Sequence, residues 1–77
     1  MGAVTDRFLE AYADLIESKR VSVRQFCREI DMDRRNFQRL LKEGKLRIRA
    51  EWLSVLVEKY GVSPRWLLTG DGWIFGE

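Results

Sequence analysis

The spacing of apolar residues along the chain is helical rather than alternating, and it predicts five helices and no sheet. Phe8, Tyr12, Leu15 and Ile16 repeat at i, i+4, i+7 and i+8, placing a first helix over about 6–18. Thr5 or Asp6 is its expected cap, with a side-chain oxygen accepting from the free amides of the first turn. Ser22 caps a second helix over 23–30, whose inner face is Val23, Phe26, Cys27 and Ile30. Asp31-Met32-Asp33 interrupts the pattern, and Asp33 caps a third helix over 34–43 that buries Phe37, Leu40 and Leu41. Gly44 ends that helix, because glycine accepts the left-handed conformation a helix C-terminus asks for. In the loop from Lys45 to Arg49, Leu46 or Ile48 turns inward. A fourth helix over 50–60 offers Leu53, Leu56, Val57 and Tyr60, with Trp52 half exposed beside that stripe and Gly61 as the stop. Ser63 and Pro64 open a fifth over 64–69, a serine cap followed by a proline whose missing amide costs nothing at the first helical position. It offers Trp66, Leu67 and Leu68 to the core, and an apolar tail follows over 71–77.

Size sets the scale of that core. At 77 residues and 9.1 kDa the chain is expected to form one domain over 1–77, burying about 63% of its unfolded surface. Its 45% apolar and 34% charged residues fit a folded domain. No apolar run reaches the ~20 residues that cross a bilayer, and the start, with Asp6 and Glu10, lacks a secretory pattern. A lone cysteine, Cys27, forms no internal disulfide, so the expected setting is the reducing cytoplasm, with Cys27 a buried small residue. The sequence contains no histidine, which removes Ser-His-Asp and Cys-His catalysis and any histidine-bearing zinc site. The expectation is a binding module without cofactor or metal, and not an enzyme.

Charge says what it binds. The net value of +2 conceals a segment from Lys19 to Arg49 with eleven basic and four acidic residues, a net +7; the remainder, three basic against eight acidic, carries −5. Such separation within one small domain points a cationic face at a polyanion. Arginine outnumbers lysine eight to three in that segment, and its planar fork suits phosphate and guanine. With the apolar residues of the third helix spent on the core, Arg34, Arg35, Gln38 and Arg39 are forced outward on a rod narrow enough for the DNA major groove. Cys27 is the small residue that lets two helices cross closely, and Asp31 stands at the turn between them.

Ser22-Val-Arg-Gln-Phe-Cys27, Asp33-Arg-Arg-Asn-Phe-Gln-Arg-Leu40, Lys42-Glu-Gly44 and above all Gly61-Val-Ser-Pro-Arg-Trp-Leu-Leu-Thr-Gly70 carry a family likeness. Together with Asp71-Gly72 they resemble the phage-repressor-like, or XRE-type, helix-turn-helix family over roughly residues 5 to 75. The resemblance implies an all-α, compact five-helix lambda-repressor-like DNA-binding domain with its helix-turn-helix at the second and third helices. It implies base contacts from Arg34, Arg35, Asn36, Gln38 and Arg39, the arginines favouring guanine. Backbone-phosphate contacts fall to Ser22, Arg24 and Gln25 at the start of the second helix, and to Lys42, Lys45, Arg47 and Arg49. The implied activity is sequence-specific double-stranded DNA binding by a transcriptional repressor of phage or mobile-element type, a homodimer on a palindromic operator. This chain departs from the family at Asp31, where glycine is usual, at Cys27, where alanine is usual, and at Phe37, which replaces a smaller aliphatic residue.

Trp66 with the tail residues Trp73, Ile74 and Phe75 makes an apolar group that either folds back as a lid over the first and fifth helices or contacts a second copy. Two other functions fit the same residues: an antitoxin-type autorepressor that also binds a toxin protein, and a helical protein-interaction module that never touches DNA.

Overall fold

The computed structural model describes residues 3–75. Its architecture is all-α, with α1 over Ala3–Glu17, α2 over Val23–Glu29, α3 over Arg34–Glu43, α4 over Ala50–Tyr60 and α5 over Pro64–Thr69. Among the described residues, no helix is long and apolar enough to cross a membrane.

Caps set most of these boundaries. Ser22 Oγ accepts from the Gln25 amide at 3.1 Å, Asp33 Oδ2 from the Asn36 amide at 3.0 Å, and Ser63 Oγ from the Trp66 amide at 3.3 Å. Each satisfies a backbone donor that has no partner within its own helix. Gly44 closes α3 at φ 71° while the Lys45 amide donates back to Leu40 O. Two helices lack such a cap: α4 follows Arg49 with no side-chain cap, and α1 begins at Ala3, so Thr5 and Asp6 lie inside its first turn and do not cap it. An anion in that turn still complements the helix dipole.

Six aromatic rings fill the centre. Phe26 lies 5.0 Å from Tyr12 and 6.0 Å from Phe8, between ring centroids. Phe37 meets Tyr12 edge-on at 5.4 Å and Trp52 at 6.3 Å, and Tyr60 closes on Phe26. Tilted and edge-on pairs of this kind each add about 0.5–1.5 kcal/mol beyond the area they bury. Phe37 is therefore the anchor of α3: fully buried, it fixes the rotation of that helix on the rest of the molecule.

Leu40 and Leu41, expected to be buried, are half-buried at the edge of the core, and Trp52 and Leu68 depart further from their expected places. Trp52 is 4% exposed, because α4 turns Trp52, Leu56 and Tyr60 to the aromatic centre and leaves Leu53 and Val57 half-buried. Leu68 is 56% exposed rather than in the core, since α5 has only Trp66 and Leu67 on its inner side. Leu53, Val57, Leu67 and Leu68 line a shallow apolar groove between α4 and α5.

Two arginines act as staples. Arg7 donates to Leu67 O at 2.8 Å and Leu68 O at 2.9 Å, satisfying carbonyls at the end of α5 from α1. Arg20 donates to Tyr60 O at 3.1 Å and lies 4.8 Å over the Phe75 ring. Behind it the tail pairs with the α4–α5 connection: the Ser63 amide donates to Ile74 O at 2.9 Å, and Val62 bridges Phe75. Ile74 and Phe75 thus pack on the core, with Phe75 paired to Val62 in the α4–α5 connection. Trp66 is buried, and Trp73 is 74% exposed; residues 76 and 77 of the expected tail lie outside the described residues.

Candidate nucleic-acid interface

The interface is built on α3. At about 100° per residue, the buried Phe37 and the half-buried Leu40 and Leu41 take one side of the helix. The opposite side then carries Arg35, Gln38 and Lys42 at its middle, with Arg34 and Arg39 flanking; all five are exposed. Ten residues give a rod about 15 Å long and 10–12 Å across with side chains, which matches a major groove about 12 Å wide. Among the described residues, the side chains of Arg34, Arg35 and Gln38 make no hydrogen bond or ion pair within the protein.

Asn36 and Arg39 differ from those three. Asn36 is half-buried at the border of the face, where its Oδ1 accepts from Arg39 Nη2. Arg39 Nη1 also pairs with Glu43 Oε1 at 3.5 Å, and Lys45 Nζ reaches the same oxygen at 4.0 Å. Of the residues expected to read bases, three are free and two are tied to one another.

Of the expected phosphate contacts, Lys42 lies on the exposed face of α3 itself, and the others lie in the loop after α3 and at the start of α2. The loop after α3 alternates, with Leu46 buried and Ile48 half-buried against the core, so Lys45, Arg47 and Arg49 turn outward. These three basic residues line a cleft of about 620 Å³ together with Asp31, Asp33, Asn36 and Trp52. Ser22, Arg24 and Gln25 are exposed at the start of α2. Ser22 spends its hydroxyl oxygen on capping, and Gln25 donates weakly to Glu29 at 3.4 Å, whereas Arg24 is exposed on that first turn. Arg20, counted in the basic segment, is held by Tyr60 O and Phe75.

Between α2 and α3 the chain turns at Asp31, which adopts φ 58°. The Met32 amide donates to Cys27 O at 2.9 Å and the Asp31 amide to Arg28 O at 3.2 Å, a left-handed close of the kind glycine usually makes. Cys27 packs beneath this turn, 2% exposed. Burial pushes its thiol above the usual range, against the Arg34 guanidinium, which pulls it down, and with Asp33, which adds to the rise. That is the environment of a structural thiol rather than a reactive one.

The sequence did not single out Glu43, the acid that holds Arg39 and Lys45. Its signal was present in the i, i+4 spacing from Arg39 to Glu43. Comparison with protein-family models, with curated proteins and with solved structures finds no match to this chain.

Proposed function

We propose that this chain is a sequence-specific double-stranded DNA-binding domain of the helix-turn-helix kind, with α3 as the helix that enters the major groove. The observation that carries the reading is the exposed face of α3, where Arg34, Arg35 and Gln38 make no hydrogen bond or ion pair among the described residues, with exposed cations also in the loop from Lys45 to Arg49 and at Arg24 on the first turn of α2. Arginine at such positions donates two hydrogen bonds to guanine O6 and N7, while the flanking cations contact phosphate and set register. The role that fits is a cytoplasmic transcriptional repressor of phage or mobile-element type, bound as a homodimer to a palindromic operator and excluding polymerase by occupancy. Exposed Leu68 and Trp73 offer the apolar contact a second copy needs. The same two residues favour the protein-interaction module as the second reading.

Selection of bound sequences from a random duplex pool decides between the two. The DNA-binding reading expects a guanine-containing motif, repeated with two-fold symmetry about 34 Å apart for a dimer. It also expects log affinity to fall steeply with log salt. An unenriched pool with salt-insensitive binding overturns it. Within this test, Arg35→Ala is expected to cost about 1–3 kcal/mol on the selected site and relax base preference, whereas Lys45→Ala weakens all sequences evenly. Equal losses for Arg35→Ala on selected and random duplexes would remove its base-reading role.

A further inference from the structure

Glu43 is the one acid on α3, and it occupies the helix C-terminus, where the dipole disfavours an anion. It sits against two cations: Arg39 at 3.5 Å and Lys45 at 4.0 Å. Arg39 is held from the other side by Asn36 Oδ1. The result is a continuous chain, Asn36–Arg39–Glu43–Lys45, along the border of α3 nearest the basic loop. Three of its four members are groups that the proposed function sends to DNA. Glu43 cannot join them on the DNA backbone, since its carboxylate has no donor for phosphate and carries the same charge.

We infer that Glu43 is a specificity-determining residue, an internal stand-in for phosphate that occupies Arg39 and Lys45 in the free protein. The inference rests on the DNA-binding reading. A duplex of arbitrary sequence must take the two cations away from Glu43 and gives only phosphate in exchange, so binding to it is held down. A matching site adds hydrogen bonds to base edges, which a seated arginine makes in pairs, and these offset the exchange. Glu43 therefore lowers affinity for the wrong DNA more than for the right one, the asymmetry on which specificity depends. Because both pairs are exposed, each is a weak contact. The combined effect on affinity is a factor of about three to ten.

The test uses Glu43→Gln, Arg39→Ala and the double variant, each checked by circular dichroism for an unchanged fold. Affinity is measured over a salt series on a random-sequence duplex of about 25 base pairs and on the duplex selected from the pool. Glu43→Gln is expected to tighten random-duplex binding about three- to tenfold and to steepen its salt slope by about one. The selected duplex gains less, so the ratio of the two affinities falls. In the Arg39→Ala background most of the gain is expected to disappear. An equal gain with and without Arg39 means that Glu43 acts only as a distant charge and overturns the proposal; so does an equal gain on both duplexes, or none. A wild type that binds neither duplex in a salt-dependent way overturns the DNA-binding reading itself. The internal pairing has its own readout without DNA: the Arg39 Nη protons, which face Glu43 and Asn36, are expected to exchange faster with solvent in Glu43→Gln, and an unchanged rate overturns the pairing.

Discussion

Among the described residues, two other than glycine hold left-handed backbone, Lys19 at φ 63° and Asp31 at φ 58°. Both close a helix with the same pair of bonds. After α1 the Lys19 amide donates to Ile16 O and the Arg20 amide to Leu15 O, as Asp31 and Met32 do after α2. An L-residue costs roughly 1–2 kcal/mol in this conformation, and aspartate somewhat less than most. Asp31→Gly is therefore expected to stabilise the domain by about 0.5–1 kcal/mol, measured as a higher urea midpoint at unchanged slope. A midpoint that stays or falls means that the Asp31 side chain contributes more than its backbone strain costs. At this scale the sequence was unevenly legible. Asp31-Met32-Asp33 marks its turn by composition, but nothing in Ser18-Lys19-Arg20 announces a left-handed residue, because the bonds that force it come from the end of α1. For the same reason Arg7 and Arg20 look like solvated charges in the sequence. Their acceptors, the carbonyls of Leu67, Leu68 and Tyr60, lie forty or more residues away.

Between elements, one polar tie joins the α2–α3 unit to α4. The Tyr60 hydroxyl donates to the Glu29 carboxylate, and Gln25 donates to the other oxygen of Glu29. Burial, then the hydrogen bond to Glu29, then the charge of Glu29 hold the Tyr60 hydroxyl above the usual tyrosine range. Burial also raises Tyr12, with a smaller push from Cys27. A group whose folded pKa lies above its unfolded value near 10 stabilises fully below that pH and less as pH climbs past it. Stability is thus expected to fall from about pH 10 upward. Tyr60→Phe is expected to lower stability by about 1 kcal/mol at neutral pH and to make the alkaline decline shallower. Urea unfolding of both proteins at neutral and alkaline pH checks this, and parallel declines exclude the tie as the cause. Element boundaries were legible from capping residues and apolar periodicity, which act within a few positions. The rotation of α4 was not: Leu53, Leu56 and Val57 make as good a stripe as Trp52, Leu56 and Tyr60, and the choice falls to the rings of α1, α2 and α3. Leu68 follows from the same limit, since a six-residue helix has too few turns to define a face.

Over the whole molecule, charge separation was the most legible property, because it needs only a count. What the count could not supply is the division of labour among the cations. Arg7 and Arg20 bind carbonyls, Arg39 and Lys45 share an acid, and Arg34 and Arg35 have no polar partner among the described residues. The five-helix architecture was legible because local and long-range preferences agree at nearly every position. The place of the tail was not: Ile74 and Phe75 meet backbone at the α4–α5 connection and the Arg20 guanidinium, neither of which leaves a mark in the tail's own sequence.

That clasp has an optical consequence. Two of the three indoles, Trp52 and Trp66, lie in the interior, while Trp73, next to the clasped pair, is in water. Emission from the native protein is then composite, a blue share from the interior and a red share from position 73. Iodide is expected to quench the red share alone, and Trp73→Phe to abolish that fraction; native emission without a quenchable red component rules out the exposed ring. The C-terminal segment thus carries its own dye, so its release can be watched separately from the melting of the helices.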